Sequence, residues 1–377
     1  VTAPTPPSPE TLQFLLLLER FGRTRLRALW ASQGSLAATD SRTAANAADS
    51  PSPPAALTGA LAQLPILFRR VRAATGLRPA RLPWQELGDQ LAQWSINPLL
   101  GNDLPAPLRA IPDPPLALYT TGNLARLREP AVAIVGARQA TPRAQRWTEA
   151  TAQALAGAGV VVISGLAFGI DAAAHRGALP RTVAVLGSGL RVCAPRANLG
   201  LFKRILDAGG CAVSEYSLLS QPRKYHFPER NRIISGLSRV VVVAEAGPRS
   251  GSLISARLAL EQGRDVLAVP GPVGLPGSVG CHRLIKQGAG LAEDVDDVLQ
   301  ALGLPPRPDS PSPGPADSAG LSATGRRVLN LIDGCLTPTA VLAARSGLEA
   351  VTLAATLAEL ELGGFVHRQG EGYIRAP

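Results

Sequence analysis

The sequence predicts an α/β protein: an extended Rossmann-like, doubly wound and mostly parallel sheet, with a small N-terminal helical domain and a C-terminal winged-helix domain. Three observations lead there. Six short apolar runs, rich in β-branched residues, alternate with helical patterns between residues 131 and 269. The segment ahead of them has helical periodicity. The segment behind them follows a Pro-rich break and reads as three helices and two short strands.

Residues 1–9, VTAPTPPSP, predict a disordered tail. TLQFLLLLERFGRTRLRALW then reads as one or two amphipathic helices broken near Gly22. The low-complexity stretch 38–56 predicts a flexible insertion, and helical patterns resume from about 57 to 100. Residues 10–110 are therefore assigned to the N-terminal helical domain. Its FGRTRL turn resembles a helix-hairpin-helix DNA-binding element, but a plain structural turn uses a glycine in the same way.

The Rossmann-like domain is assigned to 111–303. AVAIVG (131–136), VVVIS (160–164), TVAVLG (182–187), CAVSE (211–215), RVVVVA (239–244) and DVLAV (265–269) are apolar along their length. Continuous apolarity marks strands covered on both faces, as parallel strands flanked by helices are. The helices AQRWTEATAQALAG and SGSLISARLALEQG end on Gly157 and Gly263, which suit C-terminal stops. Residues 304–320, LPPRPDSPSPGPADSAG, form a semi-rigid linker. Residues 321–377 complete the winged-helix pattern. The third helix there, LEAVTLAATLAELELGG, carries Glu349, Glu359 and Glu361 and no cation. A helix that enters the major groove needs cations and polar side chains, so a protein-interaction or regulatory role is expected. Arg326, Arg327, Arg345 and Arg368 leave room for a weak DNA contact elsewhere.

Formal net charge is +10, and residues 111–303 carry 21 Lys/Arg against 14 Asp/Glu, which points to a polyanionic partner. Only three of the 38 cations are lysines: Lys203, Lys224 and Lys286. With so much Ala, Pro and Gly, that bias reflects a GC-rich genome, and an Arg count alone carries little weight. Cys193, Cys211, Cys281 and Cys335 show no metal or redox spacing and read as buried free thiols of a reducing cytosol. No apolar run reaches 18 residues, no signal-peptide pattern opens the chain, and the absent initiator Met suggests a processed start. A soluble, cytoplasmic protein with no membrane partner is expected.

Chemistry is sought at the carboxyl ends of the strands, where open parallel sheets bind ligands. Gly136-Ala137-Arg138, Ser164-Gly165, Gly187-Ser188-Gly189 and Gly247-Pro248-Arg249-Ser250-Gly251-Ser252 all fall there. Glycine lets a phosphate approach the backbone, and helix N-termini offer free amides. Tight turns need glycine anyway, but four such turns on one rim predict a phosphate-binding edge. Between two apolar strands lies RKYHFPERNRIISGLS (223–238). Pro228 suits a first helical turn, and Ile233, Ile234 and Leu237 would face the core. Lys224 and Phe227 fall on the loop before that helix, with Arg230 and Asn231 in its first turn and Arg232 next. A cation for phosphate and a ring for stacking suit a nucleotide. The expected DNA contacts are therefore Gly136, Arg138, Gly165, Gly187, Ser188, Gly189, Lys224, Phe227, Arg230, Asn231, Arg232, Ser250, Gly251 and Ser252.

GARQAT does not meet the GxGxxG dinucleotide fingerprint, and no Walker lysine motif occurs. His175, His226, His282 and His367 have no partners at ligand spacing, so neither metal nor cofactor is expected. Asp171 and His175 stand four apart on a predicted helix; a local cap with a packed imidazole is the simpler reading than acid/base work.

GARQAT, SGLAFGIDAAAH, GSGL, FPERNRIISGLS, SGSLISARLALEQGRDVLAVPG and GCHRLIKQGA occur in this order over roughly residues 110–300. In these motifs the chain closely resembles the DNA-processing protein A (DprA/Smf) family. The resemblance implies a bacterial single-stranded DNA-binding recombination mediator that protects incoming strands and helps load the RecA recombinase during natural transformation. It implies a homodimer and no enzymatic activity, and it leaves the single-strand-binding protein as a candidate further partner. The family's pocket arginine corresponds to Arg138, its lysine to Lys224 and its phenylalanine to Phe227, with 187–189 and 250–252 on the pocket wall. Family members often carry Asn where this chain has His282.

Two alternatives stand beside this reading. A nucleotide-processing hydrolase of the same Rossmann-like superfamily would need a PGGxGTxxE loop. The stretch AGPRSGSLISARLALEQ lacks it, and Glu261 comes nine residues after Ser252. A scaffold that binds RecA without DNA conflicts with the basic middle segment.

Overall fold

The six apolar runs each form a strand in the computed structural model, and their burial on both faces follows from the helices that connect them. The structure describes residues 7–31, 60–78, 83–306, 321–332 and 336–375. The expected insertion 38–56, most of the tail 1–9, most of the linker 304–320, and Cys335 lie outside the described residues. The chain divides into two compact units, Val1–Pro306 and Arg307–Pro377.

In the first unit, α1 (Pro9–Phe21) begins where the Ser8 hydroxyl accepts from the Thr11 amide and Pro9 occupies the first turn. Gly22, at φ +75°, breaks the chain as expected before α2 (Arg23–Ala31). Then come α3 (Ala60–Thr75) and α4 (Trp84–Gln93). The expected helical pattern to residue 100 gives way to a strand, β1 (Asn97–Leu100), which pairs antiparallel with β2 (Ala117–Gly122). Pairing decides these residues where local pattern is weak, and Pro98 is accommodated because β1 is an edge. The expected boundary at 110 thus falls inside the first unit. Leu12, Phe14, Leu15 and Leu17 of α1 share one apolar cluster with Ala184, Leu186 and Ala212 of the sheet.

The short α5 (Ala106–Arg109) lies between β1 and β2; after β2 come β3 (Ala131–Val135), α6 (Pro142–Gly157), β4 (Val161–Ser164), α7 (Ile170–Gly177), β5 (Thr182–Val185), α8 (Leu199–Asp207) and β6 (Cys211–Ser214). They are followed by α9 (His226–Gly236), β7 (Val240–Val243), α10 (Ser252–Glu261), β8 (Asp265–Ala268), α11 (Val279–Lys286), β9 (Gly290–Leu291) and α12 (Val295–Leu302). The sheet order is β1-β2-β6-β5-β4-β3-β7-β8-β9, parallel from β6 through β9. Winding reverses between β3 and β7, the place where such sheets take ligands beyond their carboxyl ends. One core cluster holds Val135, Ile163, Val185, Val213 and Val243 with Ile233, Ile234 and Leu237 of α9.

The second unit contains α13 (Ala323–Leu329), β10 (Thr337–Pro338), α14 (Thr339–Ser346), α15 (Ala350–Leu362), β11 (Val366–Gln369) and β12 (Gly372–Arg375). Its sheet order is β10-β12-β11, and Val328, Leu342, Leu357 and Val366 are buried together in its core. This is the expected winged helix. Val351 and Leu362 of α15 are exposed, alongside Glu359 and Glu361. No single helix among the described residues is long and apolar enough to cross a membrane.

Candidate nucleic-acid interface

The helix α9 begins at the carboxyl end of β5, where His226 and Arg230 meet the Gly187 and Val185 carbonyls, and runs back along the sheet, so its first turns carry the rim residues. It begins at His226, two residues before Pro228, so Phe227 lies in its first turn and Arg230 and Asn231 in its second. His226 fixes its start: Nδ1 lies 3.1 Å from the Gly187 carbonyl, and the ring stacks on Tyr216 at 3.9 Å. Ile233, Ile234 and Leu237 are buried as expected.

Phe227 is half-buried against the end of β5. A Cβ at Gly187 would stand 3.0 Å from its ring, so glycine there is what lets the ring settle. The Arg138 guanidinium carbon, beyond β3, lies 5.3 Å from the centroid of the Phe227 ring, a cation–π contact. Arg138 itself is exposed. Lys224 is exposed in the turn that leads into α9, one turn before Phe227. These three side chains combine two solvent-facing cations with one aromatic face. Gly136 is packed against Ile170 and the Glu245 carbonyl, and Asn231 is half-buried.

Five expected contacts take other roles. Arg230 is buried beneath the rim: its Nη1 donates to the Val185 carbonyl at 2.9 Å, and its guanidinium fills the space a side chain at Gly165 would need. Its counter-charge is Asp171, also buried, whose Oδ2 accepts from the amides of Gly165 and Ala167 at 3.2 and 3.3 Å. Burial pushes the Asp171 carboxyl up, against the opposing pull of Arg230 and those amides. Arg232 donates through Nη2 to both oxygens of Glu215 at 2.7 Å and through Nε to Asp113 at 2.9 Å. In place of the expected DNA contacts, both arginines are internal supports: Arg232 is ion-paired to Glu215 and Asp113, and Arg230 is buried on the Val185 carbonyl. Ser188 and Gly189 are likewise covered. The Ser188 hydroxyl donates to the Val192 carbonyl, and a Cβ at Gly189 would collide with the Ser217 and Leu218 carbonyls. Gly165 is buried under Arg230.

On the other side of the winding reversal, Ser250 and Ser252 share a hydroxyl–hydroxyl bond of 2.8 Å, and Gly251 opens α10 with free space around it and no side-chain cap. Glu245 follows β7 nearby and accepts from the Thr141 amide and hydroxyl. That carboxylate leaves the more positive half of the rim with Arg138 and Lys224. Asp171 does not cap α7, whose N-cap Gly169 has no side-chain cap; its carboxylate holds the preceding loop instead. His175 is the expected packed imidazole, with Nδ1 2.7 Å from the Thr182 hydroxyl. Glu261, the acid a hydrolase would use, closes α10 and pairs with Arg257 at 3.6 Å. Ten residues of helix, about 15 Å, separate it from the rim.

Sequence reasoning missed Phe168, exposed at the carboxyl end of β4, and the Asp171–Arg230 pair below it. The motif SGLAFGID carried the first signal, an aromatic inside a glycine turn. The pair had none, since it depends on which helices meet.

The fold and rim define a class: a Rossmann-like protein with a basic, aromatic-bearing edge and a winged helix on the same chain. Residues 98–303 match the family model described as DNA recombination-mediator protein A, and residues 311–372 match the DprA winged helix domain. The chain belongs to the DNA recombination-mediator protein A (DprA/Smf) family. It is 43% identical over 281 residues to protein Smf of Escherichia coli (strain K12), covering 72% of this chain and 74% of that protein. It is 47% identical over 208 residues to DNA processing protein DprA of Streptococcus pneumoniae, covering 53% and 72%. The X-ray structure of the S. pneumoniae protein superposes with a TM-score of 0.55 at 38% identity, over 65% of this chain and 91% of that one. DNA processing protein A from Helicobacter pylori, whose structure concerns its single-stranded DNA binding mode, gives 0.52 at 31% identity, over 56% and 97%.

Proposed function

We propose that this protein is a single-stranded DNA-binding recombination mediator whose strand site is the rim formed by Arg138, Lys224 and Phe227. The observation that carries the reading is the Arg138 guanidinium 5.3 Å from the Phe227 ring, with exposed Lys224 one turn away. Charge meets phosphate and the ring meets a base, a combination that tolerates any sequence. The open backbone at Gly251 extends the rim, and Gly136, Gly187 and Asn231 line it. The single-strand binding described for the H. pylori relative supports the same reading. In this account the protein acts in the cytoplasm as a homodimer, protects incoming strands and helps load RecA in natural transformation. The single-strand-binding protein is the partner it would meet on the strand. The winged helix serves protein contacts, since α15 offers apolar and acidic groups.

Lys224→Glu combined with Arg138→Ala tests the site. Both residues are exposed, so the variant keeps its fold. It is expected to abolish gel retardation of an oligothymidylate while its melting temperature stays unchanged. Retardation at wild-type concentrations would show that the strand binds elsewhere.

A further inference from the structure

We infer that Phe168 is a second base-stacking platform on the same rim, so that neighbouring bases of one strand rest on Phe227 and Phe168. This rests on the strand site proposed above and adds a residue to it. Among the Phe, Tyr and Trp residues whose side chains are described, only two are exposed, Phe168 at 46% and Tyr225 at 51%. Tyr225 has local partners: its hydroxyl accepts from Arg223 at 2.9 Å, and its ring meets His226 edge-on at 4.7 Å. Phe168 has no polar handle, so its exposure calls for a flat apolar partner from outside.

The loop that holds Phe168 is built to keep it there. Asp171 accepts from the amides of Gly165 and Ala167, and the Asn198 side-chain amide donates to the carbonyls of Leu166 and Ala167 at 2.9 and 3.1 Å. Leu166 is held at φ +57°, an uncommon conformation for a branched residue. Gly169, at φ +71°, lies so close to the backbone of Ala137 and Arg138 that a Cβ would stand 2.6 Å from the Arg138 carbonyl oxygen. The Ile170 amide donates to the Ala137 carbonyl at 3.2 Å. The backbone on both sides of Phe168 is thus tied down, and the loop abuts the residue whose guanidinium covers Phe227. An aromatic fixed beside a phosphate-binding cation, without freedom to fold inward, is preorganised for stacking.

The test measures binding of a fluorescent oligothymidylate, and of the same strand with abasic sites, to wild type, Phe168→Ala and Lys224→Glu. Phe168→Ala is expected to weaken binding to the normal strand by about 5- to 150-fold, with no difference from wild type on the abasic strand. Phe168→Trp should retain affinity, and its added fluorescence should be quenched on binding. If Phe168→Ala binds like wild type while Lys224→Glu does not, the second platform is wrong and the strand site stands. If both variants bind like wild type, the strand site is misplaced and the platform falls with it. An equal loss on normal and abasic strands would also overturn the stacking role.

Discussion

At the scale of single residues, the groups beneath the rim titrate in opposite senses, and their signs can be worked out. His175 is fully buried, and burial, aided by the charge of Arg230, holds its pKa down to about 3. An unfolded histidine titrates near about 6.5, so below that pH the unfolded chain binds a proton the native protein refuses. The stability His175 contributes is present above about pH 6.5 and is lost at about 1.4 kcal/mol per unit as pH falls toward about 3. Asp171, raised by burial, works the other way: its native form holds a proton the unfolded chain has released, so its share of stability falls as pH rises through the carboxylate range. The informative quantity is therefore the difference between wild type and His175→Gln. Urea unfolding from pH 7 to pH 4 should show a shallower acid limb in the variant; equal slopes would contradict the assignment. The thiols give a second check. Burial pushes Cys211 up to about 12 and Cys281 to about 11, whereas Cys193 is only half-buried. In a Cys335→Ser background at pH 8, a thiol reagent should label Cys193 first and reach the other two only on unfolding.

At the scale of elements, α9 is the part on which the site depends. Its outer end presents Phe227, and its inner face is anchored by Arg230 and by a network that joins Arg23 of α2 to Asp113, Arg232 and Glu215. Arg232 and Glu215 keep only 7% and 9% of their side-chain surface exposed. Removing one partner leaves the other charge buried, so Arg232→Ala should cost about 3 kcal/mol in urea unfolding. Arg23→Ala, at a more exposed position, should cost about 1 kcal/mol. Equal small losses would mean the network is not what holds α9. The elements also show what a sequence can carry. All six apolar runs are strands because residues buried on both faces leave an unambiguous pattern. Asn97–Leu100 left none, because its strand state comes from pairing with Ala117–Gly122. Lys224 and Phe227 stood out as a lysine in an arginine-rich chain and a ring at a helix start. The fate of Arg230 and Arg232 was illegible: it depends on Asp171, Asp113 and Glu215, and the residues that settle it are up to 119 positions away.

At the scale of the whole molecule, the excess charge of residues 111–303 and the exposed cations of the rim imply binding that weakens steeply with salt. The slope of log K against log[salt] should fall by about 1 for each phosphate contact removed, as in Lys224→Glu. Deleting residues 307–377 should leave single-strand affinity and duplex binding nearly unchanged, because α15 carries no cation. A large loss of duplex binding would restore a DNA role to the winged helix. The most direct measurement of the central claim is a crystal structure with a short oligothymidylate. It should place a base against the Phe227 ring and a phosphate within hydrogen-bonding distance of Arg138 and Lys224. A strand bound away from the ends of β3, β4 and β5 would contradict the account.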